Sequence, residues 1–411
     1  MKRGFLSEYF VGAVAKRLAA VEIDPARSNQ HELNGVAALK ELLGPERLSG
    51  HPARFAWIDD DESILSENST VTWYDARENH PTRSEFRLYF PDNPVMRQAC
   101  AGDLLIVARQ SDSQLLVIIA QRGSTIENQL CWLFGIPEQI GIEFKGRLFA
   151  GAKDIETGFA ARFILDELGI ETTRPYSDNL DDIVEQFGDS FPTTAVFSRL
   201  ARNTLPQADP REAPDETLMA RVEREELLFR TLERKVVERR LKEGFWGDTG
   251  PDVDGFLQFS LSVQNRRKSR AGHALENHLE EIFRCFDIQY TRGAVTENQS
   301  KPDFLFPSVN AYHSSSFPES WLTMLGVKST CKDRWRQVLS EAARIPEKHL
   351  FTLEPGISEN QTTEMQHNSL QLVVPKPLHV TYKYEQLSFL LGVMEFLNLV
   401  RERQAPHSQA K

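Results

Sequence analysis

A chain of 411 residues is longer than one ordinary hydrophobic core supports, so two domains are the default. With 40% hydrophobic and 26% charged residues it has the composition of a soluble globular protein, and no apolar run approaches the length of a membrane span. The net charge of -11 argues against indiscriminate coating of nucleic acid, although DNA affinity depends on where the cations sit.

The N-terminus, "MKRGFLSEYF", has no sustained apolar stretch or cleavage site, which speaks against a signal peptide. Cys100, Cys131, Cys285 and Cys331 lie far apart without a CxxC pair. That pattern excludes a disulfide framework and a zinc finger, and it suits a reducing cytoplasm. Short β-like runs then recur: "ARFAWI", "STVTWY", "EFRLYF", "DLLIVAR" and "LLVIIAQ". Asp, Gly, Ser and Pro bound them, as in a small barrel or sandwich, and "QSDSQ" reads as the turn of a hairpin joining the last two.

The Pro-rich segment "RNTLPQADPREAPDET" reads as a linker. The chain therefore divides into a domain at 1–200, a linker at 201–217 and a domain at 218–411. Leu218, Val222, Phe229, Leu232 and Val236 form one helical stripe that Gly244 stops. The remainder alternates helices with short strands, an α/β pattern.

Four features of that second half fit together. "NRRKSRAGHALENHLEEIF" opens with Arg266, Arg267, Lys268 and Arg270, then becomes a helix with Ser269 as candidate N-cap and Glu276 at the edge of its buried stripe. "KPDFLFP" puts Asp303 at the mouth of a short strand, and "WLTMLGVKST" ends a buried strand on Lys328. The helix "DRWRQVLSEAARI" places Arg334, Gln337 and Glu341 on one flank. Taken singly, these are more often a boundary residue, a turn residue, a strand-end cation and a solvated face. Together they spell the order Glu, Pro-Asp, Lys, Glu. Phosphodiester hydrolysis supplies a reason for such a set, because a hard divalent ion wants two or three carboxylates and keeps its waters. Asp303 and Glu341 are the candidate metal ligands and Glu276 a supporting one, while Lys328 can orient the water or stabilise charge on the pentacovalent phosphate.

The strings "SRAG", "KPDFLFP", "AYH" and "CKDRWRQ", in order between about residues 255 and 380, resemble the catalytic domain of EcoRII-type restriction endonucleases. The resemblance implies a restriction-endonuclease-like α/β fold of the PD-(D/E)XK kind, with Mg²⁺-dependent double-strand cleavage of DNA. It also implies a homodimer on a short palindrome related to CCWGG and a cognate DNA methyltransferase as functional partner. Asp303, Lys328 and Glu341 take the family's catalytic positions, Glu276 its upstream acid, and Tyr312 a tyrosine near the active site. Lys332, Asp333, Arg334 and Arg336 would read C:G pairs in the major groove. Arg266, Arg267, Lys268 and Arg270 would bind DNA too, the first three as phosphate contacts.

More loosely, "KRLAAVEIDPARSNQHELNG" and "WYDARENHPTRSEFRLYF" resemble that family's effector domain, a mainly-β DNA-binding pseudobarrel of the plant B-three type. Arg77, Arg83, Glu85 and Arg87 match one DNA-gripping arm, with Asn29, Gln30 and His31 on the other. Arg83, Glu85 and Arg87 alternate, so on a strand they would share a face. The family logic is activation by a second site bound to this domain. Two other readings stay open: a sequence-specific DNA-binding regulator with an inactive nuclease core, and a mismatch or repair nuclease on the same fold.

Overall fold

The computed structural model describes residues 5–409 except 24–30, 61–63, 138, 150–155, 171, 173–179, 189, 206, 248, 249, 332 and 333. In the N-terminal half, eight strands make one sheet: β1 (Phe10–Arg17), β2 (Glu32–Gly35), β3 (Leu48–Ile58), β4 (Ile64–Asp75), β5 (Phe86–Tyr89), β6 (Leu104–Gln110), β7 (Leu115–Ala120) and β8 (Lys145–Leu148). Their order is β2-β5-β4-β3-β7-β6-β1-β8, antiparallel throughout except β3 beside β7. Helices α1 (Ala20–Ile23), α2 (Ala37–Leu43), α3 (Pro94–Gln98), α4 (Thr125–Phe134) and α5 (Phe159–Glu167) punctuate them. Helix α2 packs on β1 and on both edge strands, β8 and β2, which closes the sheet into a pseudobarrel.

The unbroken apolar runs of β6 and β7 follow from burial on two sides. Leu105, Val107, Val117 and Ile119 face the interior with Phe55 and Trp73, while Ile106, Leu116 and Ile118 face α4 and α5 through Leu130 and Ile164. Their hairpin turns at Gln110–Gln114, as expected, with Ser113 at φ 75°.

Three helices follow: α6 (Leu180–Glu185), α7 (Thr194–Asn203) and α8 (Pro214–Glu243). The segment expected as a linker is thus partly helical. Pro214 occupies the first turn of α8, where its fixed φ suits a helix start and its missing N–H costs nothing. Asp215, 2% exposed, accepts the main-chain N–H of Lys376 at 2.9 Å and of Val393 at 2.8 Å. That carboxylate fastens α8 to the C-terminal half.

The ribbon β9 (Trp246–Gly247) and β10 (Gly250–Pro251) leads into α9 (Val253–Cys285). Asp252, whose side chain accepts from Gly255, caps α9 in place of Ser269, and the helix runs straight through the four cations. The second sheet comprises β11 (Thr291–Arg292), β12 (Phe304–Phe306), β13 (Thr323–Lys328), β14 (Lys348–Thr352), β15 (Leu370–Val373) and β16 (Leu390–Leu391) in that order. Its first two pairings are antiparallel and the rest parallel. Around it lie α9, α10 (Val309–His313), α11 (Trp335–Val338), α12 (Glu359–His367) and α13 (Val393–Gln409). Phe283 of α9 meets Phe304 and Phe306 edge-on, with Phe396 of α13 closing the cluster.

The two halves meet through α4. Gln129 Nε2 donates to the Pro355 carbonyl at 2.9 Å, Ser358 N–H to Thr125 Oγ1 at 3.1 Å, and Gln361 Nε2 to Asp60 at 3.1 Å. No helix among the described residues is long and apolar enough to cross a membrane.

Candidate active site

The antiparallel pairing of β12 with β13 sets Phe304 opposite Leu325, which brings Asp303 beside the end of β13. One oxygen of Asp303, Oδ2, accepts the Val327 N–H at 2.6 Å and faces Lys328 Nζ at 3.4 Å. Burial raises the Asp303 carboxyl above its ordinary range; Lys328 and the Val327 N–H oppose that, and Glu276 adds to it. Gly326 permits the next contact, since a Cβ there would lie 2.9 Å from a methyl of Val338 on α11.

Helix α11 is shorter than the sequence pattern suggested. Trp335 and Val338 are fully buried, but the helix ends at Val338 and Ala342 takes φ 47°. Glu341 therefore sits in the turn after α11 instead of sharing a helical flank with Arg334. Its carboxyl is pushed up to about 7, chiefly by burial, with Lys328 pulling it down and Asp303 adding to the rise. Among the described residues, its buried Oε2 has no hydrogen-bond partner. Asp303, Lys328 and Glu341 thus feel one another's charges around one spot.

Glu276 is engaged elsewhere as well. Its Oε2 accepts from Arg292 at 2.7 and 3.1 Å, so it serves first as that guanidinium's counter-ion. Among the described residues no group of three or more His, Cys, Asp or Glu side chains is placed to hold a metal ion by itself. Two hard oxygen donors, one with an open buried oxygen, nevertheless suit a divalent ion of the Mg²⁺ type that keeps several waters.

Tyr312 has a different position from the one expected of a catalytic group. It is 1% exposed, donates to Glu297 Oε2 and accepts the Arg344 N–H at 3.3 Å. Its hydroxyl is pushed up to about 12 by burial and by Glu297, so it stays protonated and buttresses the turn that carries Glu341.

The first basic cluster is largely spent on protein. Arg270, 9% exposed, lies over the Phe229 ring and pairs with Glu225 and Glu226 of α8. Arg267 bonds both carboxylate oxygens of Glu233, at 2.9 and 2.7 Å. Arg267, expected as a phosphate contact, and Arg270, expected to bind DNA, thus both carry carboxylate partners from α8, a 30-residue helix rich in glutamate that lies alongside. Arg266 is exposed and stacks on Phe191 at 4.1 Å. In the second cluster Arg334 is exposed, while Arg336 covers the Trp335 ring and pairs with Glu364 at 2.9 Å. Lys332 and Asp333 lie outside the described residues, as does the Lys268 side chain.

Of Arg77, Arg83, Glu85 and Arg87 in the N-terminal half, Arg87 alone stands on a strand, for β5 begins at Phe86, so Arg83 and Glu85 do not share its pleat. Arg87 pairs with Glu32 of β2 and with Glu85, and Glu85 pairs also with Arg77. Those carboxylates hold Arg87 well above the usual arginine range. Arg83 is exposed, and His31 packs edge-on against Phe90. Asn29 and Gln30 lie outside the described residues.

Sequence reasoning missed the residues that support the site: Thr296, Glu297, Arg344, Lys348 and Glu354. Only Lys348 left a signal, a cation opening the apolar strand "KHLFT" as Lys328 closes another. A cleft of about 360 Å³ adjoins the loop after Lys328. Phe159 and Phe163 of α5, Ala271 and Ala274 of α9, and Ser329 and Thr330 line it. Ion pairs between α5 and α8 run beside it, Arg162 with Glu223 at 3.1 Å and Asp166 with Arg230 at 3.5 Å.

Residues 229–397 match the family model described as EcoRII C terminal. The chain is 47% identical over 170 residues to the type II restriction enzyme EcoRII of Escherichia coli. That match covers 41% of this chain and 41% of the relative, so the chain spans about two fifths of that relative's length. A solved structure of metal-depleted Ecl18kI with uncleaved, modified DNA aligns at a TM-score of 0.45 and 21% identity, over 55% of this chain and 84% of that one. The restriction endonuclease PspGI–substrate DNA complex aligns at 0.43 and 16%, over 57% and 100%.

Proposed function

We propose that the chain, whose residues 229–397 match the family model described as EcoRII C terminal, is a type II restriction endonuclease that cuts both strands of DNA at a short palindrome related to CCWGG. The observation that carries this reading is the meeting of Asp303, Lys328 and Glu341 at the end of β13 within the matched segment. Asp303 and Glu341 would hold Mg²⁺, which when bound neutralises phosphate charge and eases deprotonation of a water. Lys328 would stabilise charge on the phosphoryl oxygens as the water–phosphorus bond forms and the bridging P–O bond breaks.

A palindromic target favours a homodimer whose two-fold axis matches that of the DNA. The three-part division at 1–200, 201–217 and 218–411 belongs to this proposal, with a cytoplasmic location and a methyltransferase protecting the same site. The N-terminal pseudobarrel would bind a second copy of the site through Arg77, Arg83 and the opposite arm. Its helix α5 beside the loop after Lys328, and the α4 contacts, support a catalytic domain that is obstructed until that copy binds.

Digestion of unmethylated plasmid carrying several CCWGG sites tests the reading, with Mg²⁺, with EDTA, and with Asp303→Ala. Discrete Mg²⁺-dependent fragments ending at those sites, absent in the variant, are expected. Fragments ending elsewhere would replace the target. A salt-sensitive DNA complex without cutting would replace the nuclease by a regulator, and nicking dependent on a mismatch would make it a repair enzyme.

A further inference from the structure

The turn between α11 and β14 has to hold Glu341 in place with its Oε2 unpartnered, while Ala342 occupies the left-handed region that residues with a Cβ seldom adopt. Such a conformation persists only where its surroundings over-determine it. Side chains from elsewhere satisfy the backbone of this turn. Thr296 Oγ1 accepts the Ala342 N–H at 3.4 Å, Glu297 the Ala343 N–H at 3.3 Å, and the Tyr312 hydroxyl that of Arg344 at 3.3 Å. On the opposite side, Lys348 Nζ donates to the carbonyls of both Glu341 and Ala342, at 2.5 and 2.6 Å.

Lys348 is 5% exposed. Burying an ammonium is costly unless it is paired, and main-chain carbonyls are its bonded partners here, with Glu297 and Glu341 the nearest acidic charges. A buried methionine or leucine would fill the same space without that cost. What the ammonium adds is a pair of directed bonds to the two carbonyls flanking the Glu341–Ala342 step. Ligand carboxylates bind well when their rotamer and backbone are fixed in advance by such outer contacts.

We propose that Lys348 is a positioning residue, holding Glu341 through its own and the next carbonyl so that the carboxylate is set for a divalent cation before the cation arrives. This rests on the reading of Asp303 and Glu341 as the metal-binding pair. Lys348 does not touch the cation or the reacting phosphate; it acts through the turn.

The test uses the full chain and the variants Lys348→Met, which keeps length and removes the donors, and Thr296→Val, which loosens the same turn without altering a buried charge. Mn²⁺ binding is followed by the paramagnetic resonance of the free ion, and thermal melts check folding. Loss of an outer contact of this kind typically weakens metal affinity or activity by about 10- to 100-fold. Lys348→Met should therefore bind Mn²⁺ at least about tenfold more weakly. Half-saturating Mg²⁺ for cleavage should rise by the same factor, with the rate at saturating Mg²⁺ near that of the wild type. Thr296→Val should move in the same direction by less, and it decides the matter if Lys348→Met fails to fold. A lower melting temperature with unchanged Mn²⁺ affinity would overturn the proposal, leaving Lys348 merely structural. Wild-type protein whose Mn²⁺ binding is indifferent to Glu341→Ala would overturn the metal-site reading and this inference with it; loss of binding in Glu341→Ala but not in Lys348→Met would overturn this inference alone.

Discussion

Gln129 of α4 donates to the carbonyl of Pro355 at 2.9 Å, and the neighbouring carboxylate of Glu354 accepts the N–H of Cys331. Cys331 is three residues beyond Lys328, so a side chain of the N-terminal half bears on the strand–loop junction that holds the loop after Lys328. Coupling between two sites is commonly worth ~1–3 kcal/mol, or about 5- to 150-fold in an equilibrium. Gln129→Ala combined with Asp60→Asn should accordingly speed cleavage of single-site plasmid by about tenfold. It should also shrink the stimulation given by an added oligonucleotide that carries the site. Initial rates with and without the oligonucleotide check this. Unchanged rates and unchanged stimulation would mean that these contacts restrain nothing.

Glu341 makes a prediction about pH. Its carboxyl is raised to about 7 from an ordinary 4.5, mainly by burial. Between those values the folded chain keeps a proton that the unfolded chain has lost, so stability of the metal-free protein falls as pH rises through that window. Glu341→Gln removes the penalty. The variant should match the wild type near pH 4 and be more stable by roughly 2–3 kcal/mol at pH 8. Urea melts of metal-free protein across that range would show it. Parallel curves would mean that Glu341 is already charged and solvated.

The N-terminal half offers a contrast within one short stretch. Arg87 is bound to Glu32 and Glu85, whereas Arg83 is exposed ahead of the strand. Arg83→Ala should reduce the salt dependence of DNA binding by about one unit of slope and leave stability alone. Arg87→Ala should lower stability, because it leaves the half-buried Glu32 carboxylate without a cation, with the Tyr74 hydroxyl still donating to it. Salt titrations of DNA binding beside thermal melts separate the two; equal effects on DNA binding would restore Arg87 as a reader.

What the sequence disclosed depends on whether a signal is local. The β6–β7 hairpin, the α8 stripe and its stop at Gly244 were legible because turn chemistry and periodicity act over a few residues. Asp303 and Lys328 were legible as a motif, and pairing of β12 with β13 puts them side by side. The turn at Ala342 was not legible: a run of apolar positions at helical spacing looks the same whether the helix continues or breaks. Nor did the sequence show that α8 would set its glutamates against the cations of α9. That pairing is between residues 34 to 45 apart in the chain, and only tertiary packing creates it.

The same pairing yields the sharpest test of which cations are structural and which are open to DNA. Arg270 is buried between Glu225, Glu226 and the Phe229 ring, and Glu225 is shared with the buried His278 at 2.9 Å. Removing one partner of a buried pair costs about 3–5 kcal/mol when the other charge is left uncompensated, and less here, because Glu225 keeps His278 and Glu226 keeps Arg230. Arg270→Met should therefore lower the urea stability by about 2–3 kcal/mol while leaving the salt dependence of DNA binding of the folded fraction unchanged. Arg266→Ala should do the reverse: it gives up a stacking contact worth ~0.5–1 kcal/mol on Phe191 and about one unit of salt slope. Equilibrium unfolding of each variant, paired with DNA affinity over a series of salt concentrations, reads both quantities. If Arg270→Met flattened the salt dependence without destabilising the fold, the cluster would be a phosphate-binding face after all, and Glu225 and Glu226 would have to release the arginine when DNA arrives.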